Sequence, residues 1–191
     1  MAALAPALAA RSVEGRTSWP VAIGLMVAGS LVLAISAKLS VQLGPVPFSF
    51  QTLALLLIAG AYGRNLAVGT VLLYLAEGLV GLPVFTPTTA AGPAAFVGPT
   101  AGFLAGFVVC AAVVGEAADR GLDRTPLKLA PAMLGGIALL FAMGWAWLAF
   151  GFGLGPVKAW LGGVQPFIVG DLIKIAIAAL AVPAGWSLLK R

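Results

Sequence analysis

Asp171 and Lys174 stand three residues apart in a stretch, Pro166 to Leu189, that is otherwise almost wholly apolar. On a helix that spacing puts both side chains on one face. An ionised group at the centre of a membrane helix costs at least a few kcal/mol, so it pairs, lines water or binds something. Two uses follow for this pair. It can be a self-neutralising ion pair that locks its helix into a bundle, or a ligand site with a carboxylate acceptor and an ammonium donor. The ligand site is favoured, because intramembrane ionisable residues mark function. Glu77 follows Tyr74 by three residues. It can accept from Lys38 or Lys174, point into a cavity, or stay neutral through burial. Lys38 is placed to snorkel toward headgroups with no other role. Glu116, Asp119, Arg120, Asp123 and Arg124 read as a solvated helix end.

Composition says what solvent these groups meet. The chain has 191 residues, 61% of them hydrophobic and 9% charged. A soluble domain carries about 25% charged residues, so most of this surface faces lipid. The chain has no His, which removes His-based triads, general bases and metal sites. Its one Cys, Cys110, can form neither an internal disulfide nor a thiolate cluster and reads as a small buried apolar residue. No phosphate-cradling G-x-x-x-x-G-K-[ST] loop is present. The net charge of +5 comes from bases scattered at segment ends, which is no nucleic-acid face. No cofactor and no metal are expected.

Six apolar stretches must position the charges, so the expected fold is all-α with six transmembrane helices. They run about Trp19–Ser40, Phe50–Tyr62, Asn65–Val80, Pro99–Asp119, Leu129–Phe152 and Pro166–Leu189. Ser18 is the expected cap of the first. Residues 1–18 form an Ala-rich cytoplasmic arm, and 19–191 form one membrane domain. The second stretch reaches only about 20 Å at 1.5 Å per residue, short of a core of about 30 Å. The uncharged segment before it, with Gly44, Pro45 and Pro47, must supply the rest. Interrupted segments of this kind point to a ligand cavity, or else to a half-buried hairpin that fills space. Leu82 to Gly98 is also uncharged and reads as a lid, since irregular backbone does not face lipid.

Six spans put Arg11, Arg16, Arg64, Arg120, Arg124, Lys128, Lys190 and Arg191 on one side and Lys158 on the other. That bias makes both termini cytoplasmic and turns the two uncharged loops outward. Gly24 and Ala28 form one small-xxx-small step, Gly102 and Gly106 another. Such steps serve packing within a bundle or contact with another membrane subunit, and spacing alone favours packing. Of Trp145 and Trp147 only one can look inward.

Four motifs resemble a known family. They are Pro45-Val46-Pro47-Phe48 running on to Gln51-Thr52; Tyr74 to Phe85; Gly98-Pro99-Thr100 with Gly102-Phe103-Leu104 and Gly106-Phe107; and Pro166-Phe167 with Gly170-Asp171 and Lys174. Together they look like the biotin-transporter substrate-binding subunit, the BioY-type S-component of energy-coupling-factor transporters. The likeness runs from about Gly24 to the end, and Phe103 stands where the family pattern has Tyr. It implies a cell-membrane protein that binds biotin from outside. It also implies a transmembrane coupling subunit and two ATPases as partners, or a solitary transporter. Biotin carries two ureido N–H donors, a ureido carbonyl and a carboxylate tail. Asp171 suits the N–H groups, while Lys174 suits the carbonyl or the carboxylate. Gln51 and Tyr74 supply further polar contacts, Phe48, Phe85 and Phe103 walls, and Glu77 remains a candidate contact. Gly24 and Ala28 would face the coupling subunit. An intramembrane enzyme using Asp171 or Glu77 is a reading from a different class, but no nucleophile accompanies them. A purely structural membrane subunit explains the small-residue steps but not Asp171 and Lys174. An S-component for another vitamin, such as thiamine, also stays open, with a cationic ring that suits Asp171 but not Lys174.

Overall fold

A computed structural model describes residues 18–189. The expected arm, apart from Ser18, lies outside the described residues, as do Lys190 and Arg191. The first helix, α1 (Trp19–Lys38), has Pro20 in its first turn, where the missing N–H costs nothing. Ser18 stands at its N-cap position but makes no side-chain capping bond. Its buried positions are small or polar, Gly29, Ser30, Ser36 and Ala37 around Leu33. Its larger residues Ile23, Val27, Leu31 and Ile35 point outward, as a lipid-facing helix allows.

The interrupted segment after α1 is an antiparallel hairpin, β1 (Ser40–Gln42) and β2 (Pro47–Ser49), with Val41 opposite Phe48. The all-α expectation is corrected by this ribbon. Helix α2 (Gln51–Tyr62) has 12 residues, as short as the sequence requires, and Leu55, Leu56 and Ala59 on it are fully buried. Gly63 turns the chain at φ +77° into α3 (Arg64–Leu79). Residues 82–98 hold a 3-10 turn at Gly92–Phe96, before α4 (Ala101–Asp119). A second 3-10 turn, Leu122–Arg124, leads to α5 (Pro126–Ala146), which ends in a π-turn at Trp147–Gly151.

The fifth and sixth stretches lie close to their expected bounds, and the connection between them is itself partly helical. A short helix, α6 (Pro156–Gly163), precedes a 3-10 turn at Gln165–Phe167 and the last helix, α7 (Ile168–Leu189). Among the described residues, four helical stretches are long and apolar enough to cross a membrane: Trp19–Lys38, Ala101–Asp119, Pro126–Gly151 and Pro156–Trp186.

α4 packs on α5, α2 and α3, while α7 closes against α2 and α5. The α4–α5 seam explains the second small-residue step. A Cβ on Gly106 would lie 2.9 Å from Leu140 Cα, and one on Gly102 would lie 2.7 Å from the Met143 carbonyl oxygen. Only glycine admits so close a backbone approach. Gly24 has nothing within 4 Å of its Cβ position, and it and Ala28 are exposed. One step therefore packs inward and the other faces outward.

Candidate functional site

The hairpin and α7 meet at Lys174. β-pairing of Ser40 with Ser49 holds the Ser49 carbonyl toward α7, where Lys174 Nζ donates to it at 2.7 Å. The same ammonium donates to Thr52 Oγ1 at 2.9 Å and to Asp171 Oδ1 at 2.7 Å. The Thr52 hydroxyl donates its own proton to Asp171 Oδ1 at 2.8 Å. Three N–H groups are all an ammonium has, so each donor of Lys174 is matched. The Phe48 ring lies 4.0 Å beyond it, a cation–π contact, and stacks on Phe167 at 5.9 Å. Gly170 permits this approach, since a Cβ there would fall 2.6 Å from the Phe48 ring.

Asp171 and Lys174 are 3% and 5% exposed, so the pair is desolvated. Burying both charges gains little stability over an apolar pair of similar volume. Asp171 Oδ1 takes both protein donors, and among the described residues Oδ2 takes none. The carboxylate lines a cavity of about 60 Å³.

A second polar group lies elsewhere in the same cavity. Gln51 Nε2 donates to the Tyr74 hydroxyl at 2.7 Å, and that hydroxyl donates to the Val84 carbonyl at 3.2 Å. Thr86, Thr89 and Thr100 add hydroxyls, the first two bonded to each other at 2.7 Å. Phe85, Phe103, Phe141 and Phe167 wall the space. A charged pair, an amide and hydroxyls with aromatic faces around them suit a ligand with an apolar body and several polar groups.

Asp171, Lys174, Gln51, Tyr74, Phe85 and Phe103 thus share one cavity, with Phe48 behind the ammonium. Glu77 is not among its lining residues and takes a hydrogen bond from Ser30 of α1. Lys38 does not simply snorkel, because it donates to the Phe85 carbonyl at 2.7 Å. Thr52 and Ser49, which complete the Lys174 shell, stand in or beside the first motif, but no charge draws attention to them in the sequence.

Two further bonds hold the 82–98 segment. Thr88 donates to Gln42 of the hairpin at 2.8 Å, and Trp147 Nε1 donates to the Gly98 carbonyl at 2.8 Å. Both tryptophans of the pair are half-buried; Trp145 packs against the core and its Nε1 donates to the Pro156 carbonyl at 3.1 Å. At the opposite end of the bundle, Glu116 bridges Arg64 and Arg120, as a solvated helix end should. Asp123 departs from that picture. It is fully buried, takes the Trp186 indole N–H at 2.6 Å and, among the described residues, leaves Oδ1 without a partner.

Residues 10–191 match the BioY family. The chain belongs to the BioY family. The biotin transporter BioY of Rhizobium etli is 37% identical over 172 residues, covering 84% of this chain and 91% of that protein. The probable biotin transporter BioY of Pyrococcus horikoshii is 32% identical over 147 residues, covering 77% and 85%. The fold is that of a solved S-component for biotin from an ECF-type ABC transporter, with a TM-score of 0.76 at 21% identity over 91% of this chain and 95% of the other. This BioY member is therefore a multi-pass membrane protein, and its charged cavity sits in a transporter fold.

Proposed function

We propose that this BioY protein takes up biotin across the cytoplasmic membrane and is not an enzyme. Asp171 lines the cavity and, among the described residues, its Oδ2 takes no protein donor; this carries the reading. A ureido N–H is the donor it lacks. Lys174 already has its donors matched, so it holds Asp171 and the hairpin in place, and its contact with biotin requires exchange of one of those bonds. Gln51, Tyr74 and the threonines serve the other end, and Phe48, Phe85 and Phe103 the apolar body. Glu77 lies in the α1–α3 seam and makes no ligand contact. A cationic ring such as that of thiamine would suit Asp171 but meet Lys174 as a like charge.

Six spans are completed by α2 with its hairpin and by α3, each shorter than the membrane alone. Arginine and lysine bias puts both termini in the cytoplasm and the hairpin end outside. The hairpin and residues 82–98 then cap the cavity from outside. No ATP-binding loop lies in the sequence. Energy comes from a coupling subunit with two ATPases docked on the Gly24 and Ala28 face, or the chain works alone. Titration of the purified protein with biotin, beside thiamine, tests the proposal. Tight one-to-one binding of biotin alone supports it, and no biotin binding refutes it.

A further inference from the structure

Two polar contacts tie α1 to α3 and the segment that follows it. Near its middle, the buried Ser30 donates to Glu77 Oε2. About 12 Å further on, at 1.5 Å per residue, the terminal Lys38 donates to the Phe85 carbonyl at 2.7 Å. A lysine at the end of a membrane helix is free to reach water or headgroup phosphate. This one is turned onto a single main-chain oxygen, and that oxygen belongs to a cavity wall. Phe85 is 4% exposed, stands edge-on to Tyr74 at 5.3 Å, and lies so close over Gly78 that a Cβ there would meet its ring at 2.0 Å. The preceding carbonyl, Val84, accepts from Tyr74, and the following residue, Thr86, lines the cavity. Residues 84–86 are therefore held between a cavity tyrosine and the end of α1. Of the four long apolar stretches, α1 is the least enclosed, with 28% of its span buried against 39–56% for the others. It is the helix that outside contacts move most easily.

We propose that Lys38 is a positioning residue for the ligand, its ammonium tying the place of the Phe85 wall to the place of α1. The inference rests on the biotin proposal. A wall set this way acts mainly on how long the ligand stays, because losing the tie frees the wall without blocking access. One hydrogen bond from a charged donor is worth about 1.5 kcal/mol at the low end, about tenfold in a rate.

Biotin release from the purified protein is followed by exchange against excess unlabelled biotin, for the parent, Lys38→Met and Lys38→Arg. The unfolding temperature of each ligand-free protein is measured beside it. Lys38→Met should release biotin about tenfold faster, with its association rate unchanged. Lys38→Arg keeps a cationic donor and should restore slow release. Parental release by Lys38→Met overturns the inference. Faster release that follows a lowered unfolding temperature and is not restored by arginine also overturns it, since Lys38 is then only a structural anchor. A parent that binds no biotin fails the biotin proposal, and this inference falls with it.

Discussion

Asp171→Asn replaces the free carboxylate oxygen with nearly the same shape and no charge. The amide has two ways to sit, and both lose. With its oxygen kept at the Oδ1 position, it still accepts from Thr52 and Lys174, which now bond there at 2.8 and 2.7 Å. Its NH2 then faces the ligand N–H, donor against donor. Turned over, it offers oxygen to the ligand but sets NH2 against the Lys174 ammonium, which is 5% exposed. A hydrogen bond to a charged group is worth about 1.5–3 kcal/mol, or about 10- to 150-fold in Kd. Stability must be followed as well, because breaking a buried pair costs about 3–5 kcal/mol. Calorimetric titration with biotin, alongside thermal unfolding without ligand, separates the two effects. Biotin affinity should fall at least tenfold in a variant that remains folded. A folded Asp171→Asn protein that binds biotin within twofold of the parent would refute the assignment of Oδ2 to the ureido group.

Thr52→Val keeps the shape but removes the hydroxyl that bridges Asp171 and Lys174. Calorimetry should show biotin binding weakened by about 1–3 kcal/mol, and full affinity would show the bridge to be idle. Burial holds the Asp123 carboxyl above its ordinary value of 3.8, against the Trp186 hydrogen bond that works to lower it. The folded protein thus holds this proton more tightly than the unfolded one. Its stabilising effect is full below the ordinary value and is lost as pH rises through the folded value. Asp123→Asn lacks that loss, so the unfolding temperature of the parent should fall relative to the variant as pH rises from about the ordinary carboxylate value to neutrality; parallel curves would contradict this. Gly24→Leu and Ala28→Leu place bulk on the outward face of α1, where Gly24 has open space around it. Together they should leave biotin affinity unchanged while weakening assembly with a coupling subunit in co-purification, and unaltered assembly would move the docking face elsewhere.

Charge makes much of the site legible. Asp171 and Lys174 stand out because ionised residues are rare in so apolar a stretch, and their spacing fixes a shared face. Short α2 and the Gly/Pro-rich segment before it can be read from length alone. The sequence ties that segment to a ligand cavity, with a space-filling hairpin as the alternative; it is a hairpin, it lines the cavity, and its Ser49 carbonyl completes the Lys174 shell. Thr52 carries no such mark, because a lone threonine in an apolar helix has no periodic or charge signal. Spacing sets Glu77 on the face of Tyr74. A step of three residues still turns about 60° away from a full circle around the helix, which is enough to bring Glu77 to Ser30. Asp123 looks solvated because its neighbours are charged, and the Trp186 that covers it lies far along the sequence. Helix α6 is hidden because Gly151, Gly153 and Gly155 precede it, and a short apolar run after such a stretch resembles a loop.

The measurement closest to the central claim is calorimetric titration of the purified, ligand-free protein with biotin, with thiamine as the control. Saturable one-to-one binding of biotin and no heat from thiamine is the predicted result. Absence of biotin binding by the folded protein, or equal binding of both vitamins, would contradict it.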